Sequence, residues 1–103
     1  MVEDVDAIKA RITRRASMIG ELVFRHARNV ATQTLTPGTL VEQAMDIVEL
    51  AQRLVDDTVI VERARGASWR DIGVAAGGIT RQSAHKRWSH LDPTEDDADN
   101  GER

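Results

Sequence analysis

The sequence predicts an all-α protein: two long antiparallel helices that form a hairpin, then a C-terminal helix-turn-helix and a disordered acidic tail. Apolar residues recur at helical spacing over most of the chain. Before the tail, strong helix breakers occur only at Thr36-Pro37-Gly38, at Gly66 and at Gly77-Gly78. The final residues are almost all polar or charged. We therefore assign residues 1–65 to the hairpin, 62–91 to the helix-turn-helix and 92–103 to the tail.

The first long helix is predicted over residues 4–35. Its apolar residues keep to one side, with arginines and acidic residues between them. This inner side comprises Val5, Ile8, Ile12, Ile19, either Leu22 or Val23, and Val30.

The second long helix is predicted over residues 40–65, with a capping box formed by Thr39 and Glu42 at its start. Its apolar residues form three rows with a period of seven residues, which is the spacing of coiled coils. The rows are Leu40, Ile47, Leu54 and Val61; Ala44, Ala51 and Thr58; and Val41, Val48 and Val55. Because three rows are wider than one partner helix covers, we expect the long helices to form a homodimer. The alternative is that the helix-turn-helix folds back over the exposed rows.

The helix-turn-helix begins with a capping signal. Ser68 and Asp71 have the spacing of a capping box, so the first short helix should begin at Trp69. Gly77 suits the left-handed residue that ends such a helix. Gly73 removes a side chain where we expect the second short helix to approach closely.

The second short helix is predicted over residues 80–88. Ile79 supplies the apolar residue of the turn, and Thr80 can cap the helix. Ala84 and Trp88, four residues apart, should face inward. Both tryptophans of the segment are expected to be packing anchors rather than platforms on which bases stack.

Polar side chains remain on the outer side of this helix. Arginine and lysine donate to guanine, glutamine bonds adenine, and threonine suits thymine or a phosphate. The candidate DNA-contacting residues are Thr80, Arg81, Gln82, His85 and Lys86, with Ser68, Arg70 and Arg87 beside them. The alternative is a two-helix corner that merely has a basic surface.

Residues 64–73 and 78–88 resemble the helix-turn-helix module of small bacterial DNA-binding regulators, which is similar in turn to the DNA-binding region of sigma factors. The resemblance covers about the last third of the chain before the tail. It implies a DNA-binding role with a recognition helix at 80–88. The turn Gly77-Gly78-Ile79 is one residue longer than the usual pattern.

The charge is distributed unevenly. The whole chain has 14 basic and 17 acidic residues, a net charge of −3. Residues 62–91 carry six Arg or Lys against two acids, a balance of +4, whereas residues 92–103 carry six acids against one arginine, a balance of −5. We expect the acidic tail to be disordered. It either solubilises the protein or competes with DNA phosphates for the basic surface.

Other classes of function find little support. There is no cysteine, and His26, His85 and His90 lack the spacing of metal ligands. We therefore expect no enzyme activity, catalytic residue, metal site or cofactor. The N-terminus is acidic, and no apolar run approaches the roughly 18 residues of a membrane span. We expect a soluble, cytoplasmic protein that does not contact membranes.

The favoured function is sequence-specific binding of double-stranded DNA by a homodimer, in the role of a transcriptional regulator. A two-fold pair would read a pseudo-palindromic site with half-sites about 34 Å apart. One alternative is a helical adaptor whose long helices dock a protein such as polymerase or a partition protein. Another is a nucleoid protein that binds any duplex.

Overall fold

The computed structural model describes residues 4–33 and 35–92, and its regular structure over these residues is entirely helical. The helices are α1 (Val5–Thr32), α2 (Thr39–Ala64), α3 (Trp69–Ala75) and α4 (Arg81–Trp88), followed by a short 3₁₀ turn (Ser89–Leu91). The molecule is elongated, with a longest dimension of 55 Å. The all-α prediction is confirmed.

The two long helices pack against each other in opposite directions. Near the start of α1, Arg11 donates to Asp57 of α2 at 2.8 Å. Near its end, Nδ1 of His26 lies 3.0 Å from Oε1 of Gln43. Because early residues of α1 meet late residues of α2, the pair is an antiparallel hairpin, as the sequence predicted.

The seam between α1 and α2 follows a seven-residue period. The residues that are buried or half-buried in the seam recur at spacings that alternate between four and three positions on both helices. On α1 they are Ile8, Ile12, Arg15, Ile19, Leu22, His26 and Asn29; on α2 they are Leu40, Gln43, Ile47, Leu50, Leu54, Asp57 and Val61. Of the two candidates on α1, Leu22 therefore faces inward and Val23 does not. Val30 is 44% exposed, so its predicted place on the inner side is wrong.

A charged cluster lies within this seam. Asp57 is buried and accepts hydrogen bonds from both Arg11 and Arg15. Arg15 also donates to the backbone carbonyl of Arg53. A buried carboxylate needs such partners, since an unpaired charge away from water is costly. The cluster ties the beginning of α1 to the end of α2.

The start of α2 differs from the prediction. Thr39 is already the first residue of the helix, and the capping position belongs to Gly38, which has a left-handed φ of 97° and makes no side-chain capping bond. A capping box requires the threonine to precede the helix in an extended conformation. The predicted box of Thr39 and Glu42 is therefore wrong.

The helices α3 and α4 pack on the C-terminal part of α2. Their shared core consists of Val59, Trp69, Ile72, Ala84 and Trp88, with Ala67, Ile79 and Leu91 packed around it. A polar contact supports it, because Nε1 of Trp88 donates to Asp56 of α2 at 3.0 Å. The end of α2 is thus both an arm of the hairpin and the platform for α3 and α4.

Asp92 belongs to the folded part of the chain. It is 7% exposed, and Nε of Arg63 donates to it at 2.5 Å. Our prediction that the disordered tail begins at residue 92 is therefore wrong for Asp92, because its carboxylate anchors the end of the 3₁₀ turn. Residues 93–103, the rest of the predicted tail, lie outside the described residues.

The short helices do not cover the outer row of α2. Val41, Val48 and Val55 are 67%, 58% and 43% exposed, so the alternative in which α3 and α4 fold back over this row is wrong. The row lies open on the hairpin. In the described ranges, neither long helix has an apolar stretch sufficient to cross a bilayer.

Candidate nucleic-acid interface

The first short helix starts with the predicted capping box. Ser68 Oγ accepts from the backbone N–H of Asp71 at 3.0 Å, and the Asp71 carboxylate accepts from the N–H of Ser68 at 3.1 Å. The bond from the Ser68 backbone N–H lowers the pKa of the Asp71 carboxyl most, a bond from the Ser68 side chain lowers it further, and the charge of Arg70 adds to the effect. The reciprocal bonds fix where α3 begins.

The turn after α3 uses two left-handed glycines. Gly77 has φ 106° and Gly78 has φ 85°. The N–H groups of Gly78 and Ile79 both donate to the carbonyl of Gly73, at 3.1 and 3.0 Å. Since only glycine adopts positive φ at little cost, the pair Gly77-Gly78 accounts for the longer turn.

Gly73 is where this turn crosses α3. A Cβ at this position would lie 2.5 Å from the backbone oxygen of Ile79 and 3.2 Å from that of Thr80. The predicted close approach is therefore present, although it is made by the backbone of the turn rather than by the body of α4. The missing side chain allows the chain to reverse tightly above α3.

The second short helix is capped and pinned as predicted. Thr80 Oγ1 accepts from the N–H of Ser83 at 3.0 Å, and α4 begins at Arg81. Ala84 and Trp88 are 0% and 2% exposed. Trp69 is also fully buried. Both tryptophans are thus packing anchors, and neither presents a ring face on which a base could stack.

The outer side of α4 is polar. Gln82 and Lys86 are exposed, and so is the N-cap residue Thr80. Arg81 is half-buried at the start of the helix. Arg87 is exposed on one edge, with its guanidinium carbon 5.0 Å from the centre of the Trp88 ring. Thr80, Arg81 and Gln82 lie at the N-terminal end of the helix, whereas Lys86 and Arg87 lie in its last turn.

His85 does not face fully outward as we expected. It is half-buried, and its ring meets that of Trp69 edge-to-face at 5.5 Å. This contact joins α4 to α3 and fixes the ring orientation. Only part of the imidazole remains open to a ligand.

Ser68 and Arg70 lie at the start of α3, away from the core. Both are exposed. The Ser68 hydroxyl is engaged in the capping box: its oxygen accepts from the N–H of Asp71, and its side chain also bonds the Asp71 carboxylate. The guanidinium of Arg70 extends from the first turn of the helix. A phosphate is the ligand that this guanidinium suits.

The positive charges of this region are partly neutralised. Residues 62–92 contain six Arg or Lys. Arg63 pairs with Asp92, and Arg65 pairs with Glu62. Within the described ranges, the other four form no ion pair: Arg70, Arg81, Lys86 and Arg87. The uncompensated positive charge is therefore concentrated on α4 and the start of α3.

Two residues of α2 that hold the short helices in place were not predicted from the sequence. Arg63 donates to Asp92 and to the carbonyl of Ala67, and its guanidinium lies 4.6 Å from the centre of the Trp69 ring. Asp56 accepts from the Trp88 indole. Asp56 and Arg63 are seven residues apart, so they share one side of α2. That spacing is the signal which could have indicated their common role as a platform.

Comparison of the chain with protein-family models, curated proteins and solved structures gives no match.

Proposed function

We propose that this protein binds double-stranded DNA sequence-specifically, with α4 as the helix that enters the major groove. The observation that carries the proposal is the two-sided character of α4. Its inner side is buried through Ala84 and Trp88, while Gln82 and Lys86 are exposed on the outer side. A groove reader needs this combination, because the helix must be held rigidly while its polar side chains reach base edges.

The polar residues of α4 have suitable chemistry. Arg81 and Lys86 can donate to O6 and N7 of guanine, and Gln82 can bond adenine through two hydrogen bonds. Thr80 lies at the helix end that usually enters the groove. Exposed Arg70 and Arg87 supply donors for phosphates, exposed Ser68 lies beside Arg70 at the start of α3, and half-buried His85 lies in the last turn of α4.

We further propose that the protein reads DNA as a homodimer in the role of a transcriptional regulator. A single helix of eight residues offers few base contacts. Two linked copies gain affinity because the second helix binds as an effectively intramolecular event. A two-fold pair would read half-sites about 34 Å apart.

Alanine variants test the role of α4. We expect Arg81→Ala and Gln82→Ala each to lower the affinity for a selected site by about 1–3 kcal/mol and to relax the base preference at one position. The matched control is Arg14→Ala, which removes an exposed arginine of α1 that is not among the candidate DNA-contacting residues. Fluorescence anisotropy with the selected duplex measures the affinity of each variant. Equal losses from Arg81→Ala and Arg14→Ala would contradict a reading role for α4.

A protein-interaction adaptor is the second candidate, and the exposed apolar residues favour it. Met45 and Phe24, for example, are 61% and 66% exposed on the long helices. An adaptor would keep its protein partner when Arg81 and Gln82 are replaced, whereas a DNA reader would lose its target. A protein that binds any duplex with the same affinity and a strong salt dependence would instead be a nucleoid protein.

A further inference from the structure

The helix α1 has a second row of small and apolar residues outside the seam with α2. The spacings in this row alternate between four and three, as in a coiled coil. It consists of Ala16, Gly20, Val23, Ala27 and Val30, all exposed, with exposed Phe24 beside it. A Cβ built on Gly20 would meet no atom within 4 Å. This row therefore has no neighbour within the described chain.

A corresponding second row runs along α2. Its spacings alternate between three and four, and its members are Val41, Ala44, Val48, Ala51 and Val55. The three valines are exposed and the two alanines are half-buried at the border of the seam. The small alanines would let another helix approach closely.

Both rows lie on the same side of the hairpin. The seam has two flanks, and the charged cluster lies on one of them. This flank contains the residue directly before a seam residue: Arg11 before Ile12 on α1, and Arg53 before Leu54 on α2. In an antiparallel pair the corresponding flanks of the two helices face each other, and Arg15 accordingly donates to both Asp57 and the carbonyl of Arg53. The second rows extend from the opposite flanks, which therefore also meet. We call their common surface the apolar face.

The apolar face continues into a groove at the end of α2. The groove has a volume of about 350 Å³. Val55, Thr58 and Val59 line it from α2, and Ile72 and Ala75 line it from α3. The open surface thus extends from the hairpin up to the short helices.

We infer that a second copy of this chain covers the apolar face, so that two hairpins stack into a four-helix bundle. The apolar face spans fifteen residues on each helix, about 22 Å, and two neighbouring helices are about 20 Å wide, so the face covers roughly 440 Å² on each copy. Stacking along the full 28 residues of α1, about 40 Å, brings the contact to roughly 800 Å² on each copy, the area that each partner typically contributes to a stable interface.

The charges of the two helices select one way of stacking. The exposed charges of α1 outside the flank of the charged cluster are mainly basic: Lys9, Arg14 and Arg28 against Asp6 and Glu21. Those of α2 outside that flank are acidic: Glu42 and Glu49. Each α1 is therefore attracted to the α2 of the other copy, and two α2 helices repel each other.

This pairing defines the symmetry of the dimer. If each α1 lies on the α2 of the other copy, the two-fold axis runs along the helices. Both pairs of α3 and α4 then lie at the same end of the bundle. If instead α1 lay on α1 and α2 on α2 of the other copy, the two pairs of α3 and α4 would lie at opposite ends of the bundle. This dimer and the proposed function both require a second copy of the chain. The dimer is tested without DNA, so that a failure of the dimer and a failure of DNA binding can be distinguished.

Sedimentation analysis of the full chain tests the dimer, and glutamate variants locate its face. We expect a dimer at micromolar concentration. Val23→Glu and Val48→Glu should each raise the dimer dissociation constant by about 100-fold or more, because a two-fold interface buries the new charge twice. Met18→Glu is the control, since Met18 is 50% exposed on the flank of the charged cluster. A monomeric native protein, or equal loss with Met18→Glu, would overturn the inference.

Spin labels test the orientation. The chain has no cysteine, so Thr36→Cys gives one unique labelling site in the exposed turn between α1 and α2. With the axis along the helices, the two turns share one end, and we expect labels roughly 20 Å apart, about two interhelical distances. With opposite ends, they would be about 40 Å apart or more, the length of α2. The longer distance would overturn the proposed arrangement.

Discussion

Gly73 is the residue at which the geometry of the candidate site is most restrictive. We predict that Gly73→Ala destabilises the fold by about 1–3 kcal/mol, because the new Cβ would press on the backbone oxygen of Ile79 at 2.5 Å. Gly20→Ala is the matched control: it adds the same group where nothing in the single chain lies within 4 Å, and at concentrations below those of the proposed dimer it should stabilise α1 by about 0.5–1 kcal/mol. Urea unfolding measures both changes. An unchanged stability of Gly73→Ala would mean that the turn does not cross α3 so closely.

Asp71 links the same region to pH. Its pKa is below the ordinary value of 3.8, because the folded state favours the charged carboxylate. The capping box therefore contributes stability that is fully present above pH 3.8 and is lost as the pH falls through the lowered pKa. We predict that Asp71→Asn is less stable than the native chain at pH 7 and that the difference shrinks by pH 2. Urea unfolding at both pH values measures it, and a difference independent of pH would refute the assignment.

Two similar sequence patterns at helix starts had different outcomes. The pattern at Ser68 and Asp71 forms a capping box, whereas that at Thr39 and Glu42 does not. The difference lies in the preceding residue. Gly38 takes a left-handed conformation that itself ends the turn, so Thr39 enters the helix. Local spacing identifies candidates for a cap, but the path of the incoming chain decides which residue occupies the capping position.

At the scale of elements, the charged cluster of Arg11, Arg15 and Asp57 should hold the open end of the hairpin together. We predict that Asp57→Ala lowers the free energy of unfolding by about 1–3 kcal/mol. This is less than for a fully buried pair, because the two arginines keep some access to water. Asp46→Ala is the control, since Asp46 is exposed on the same helix. Equal stabilities of the two variants would show that the cluster adds nothing to the hairpin.

The apolar stripe of residues 4–35 and the seven-residue period of residues 40–65 predicted the two long helices, but not every inward position. Asp57 and Gln43 occupy seam positions that an apolar pattern overlooks, and Val30 faces outward although it fits a helical stripe. The reason is that α1 carries two apolar rows, one toward α2 and one away from it. A single sequence does not say which row meets which neighbour, because both satisfy the same period.

At the scale of the whole molecule, the docking of the short helices on α2 was beyond the sequence pattern. The contacts Asp56–Trp88 and Arg63–Asp92 join residues that are about thirty positions apart. No local propensity encodes such pairs. The segment order, the turn glycines and the inward residues of α4 were local features and could be predicted. How the module sits on the hairpin depends on tertiary packing.

The charge distribution also acts at this scale. Under the proposed function, the four basic residues of α3 and α4 that form no ion pair within residues 4–33 and 35–92 would each contact DNA phosphates or bases. We predict that binding weakens steeply with salt, and that Arg87→Ala reduces the slope of log affinity against log salt by about one phosphate contact per copy. Fluorescence-anisotropy titrations at salt concentrations between about 50 and 200 mM measure the slope. A slope that Arg87→Ala leaves unchanged would remove Arg87 from the interface.

The most direct test of the central claim is selection from random duplexes. The native protein is incubated with random-sequence DNA at near-physiological salt, and the bound fraction is sequenced. We expect an enriched pseudo-palindromic motif with half-sites about 34 Å apart, which the double variant of Arg81→Ala and Gln82→Ala no longer selects. Retention of DNA without any enriched motif, or no retention at all, would contradict sequence reading by α4.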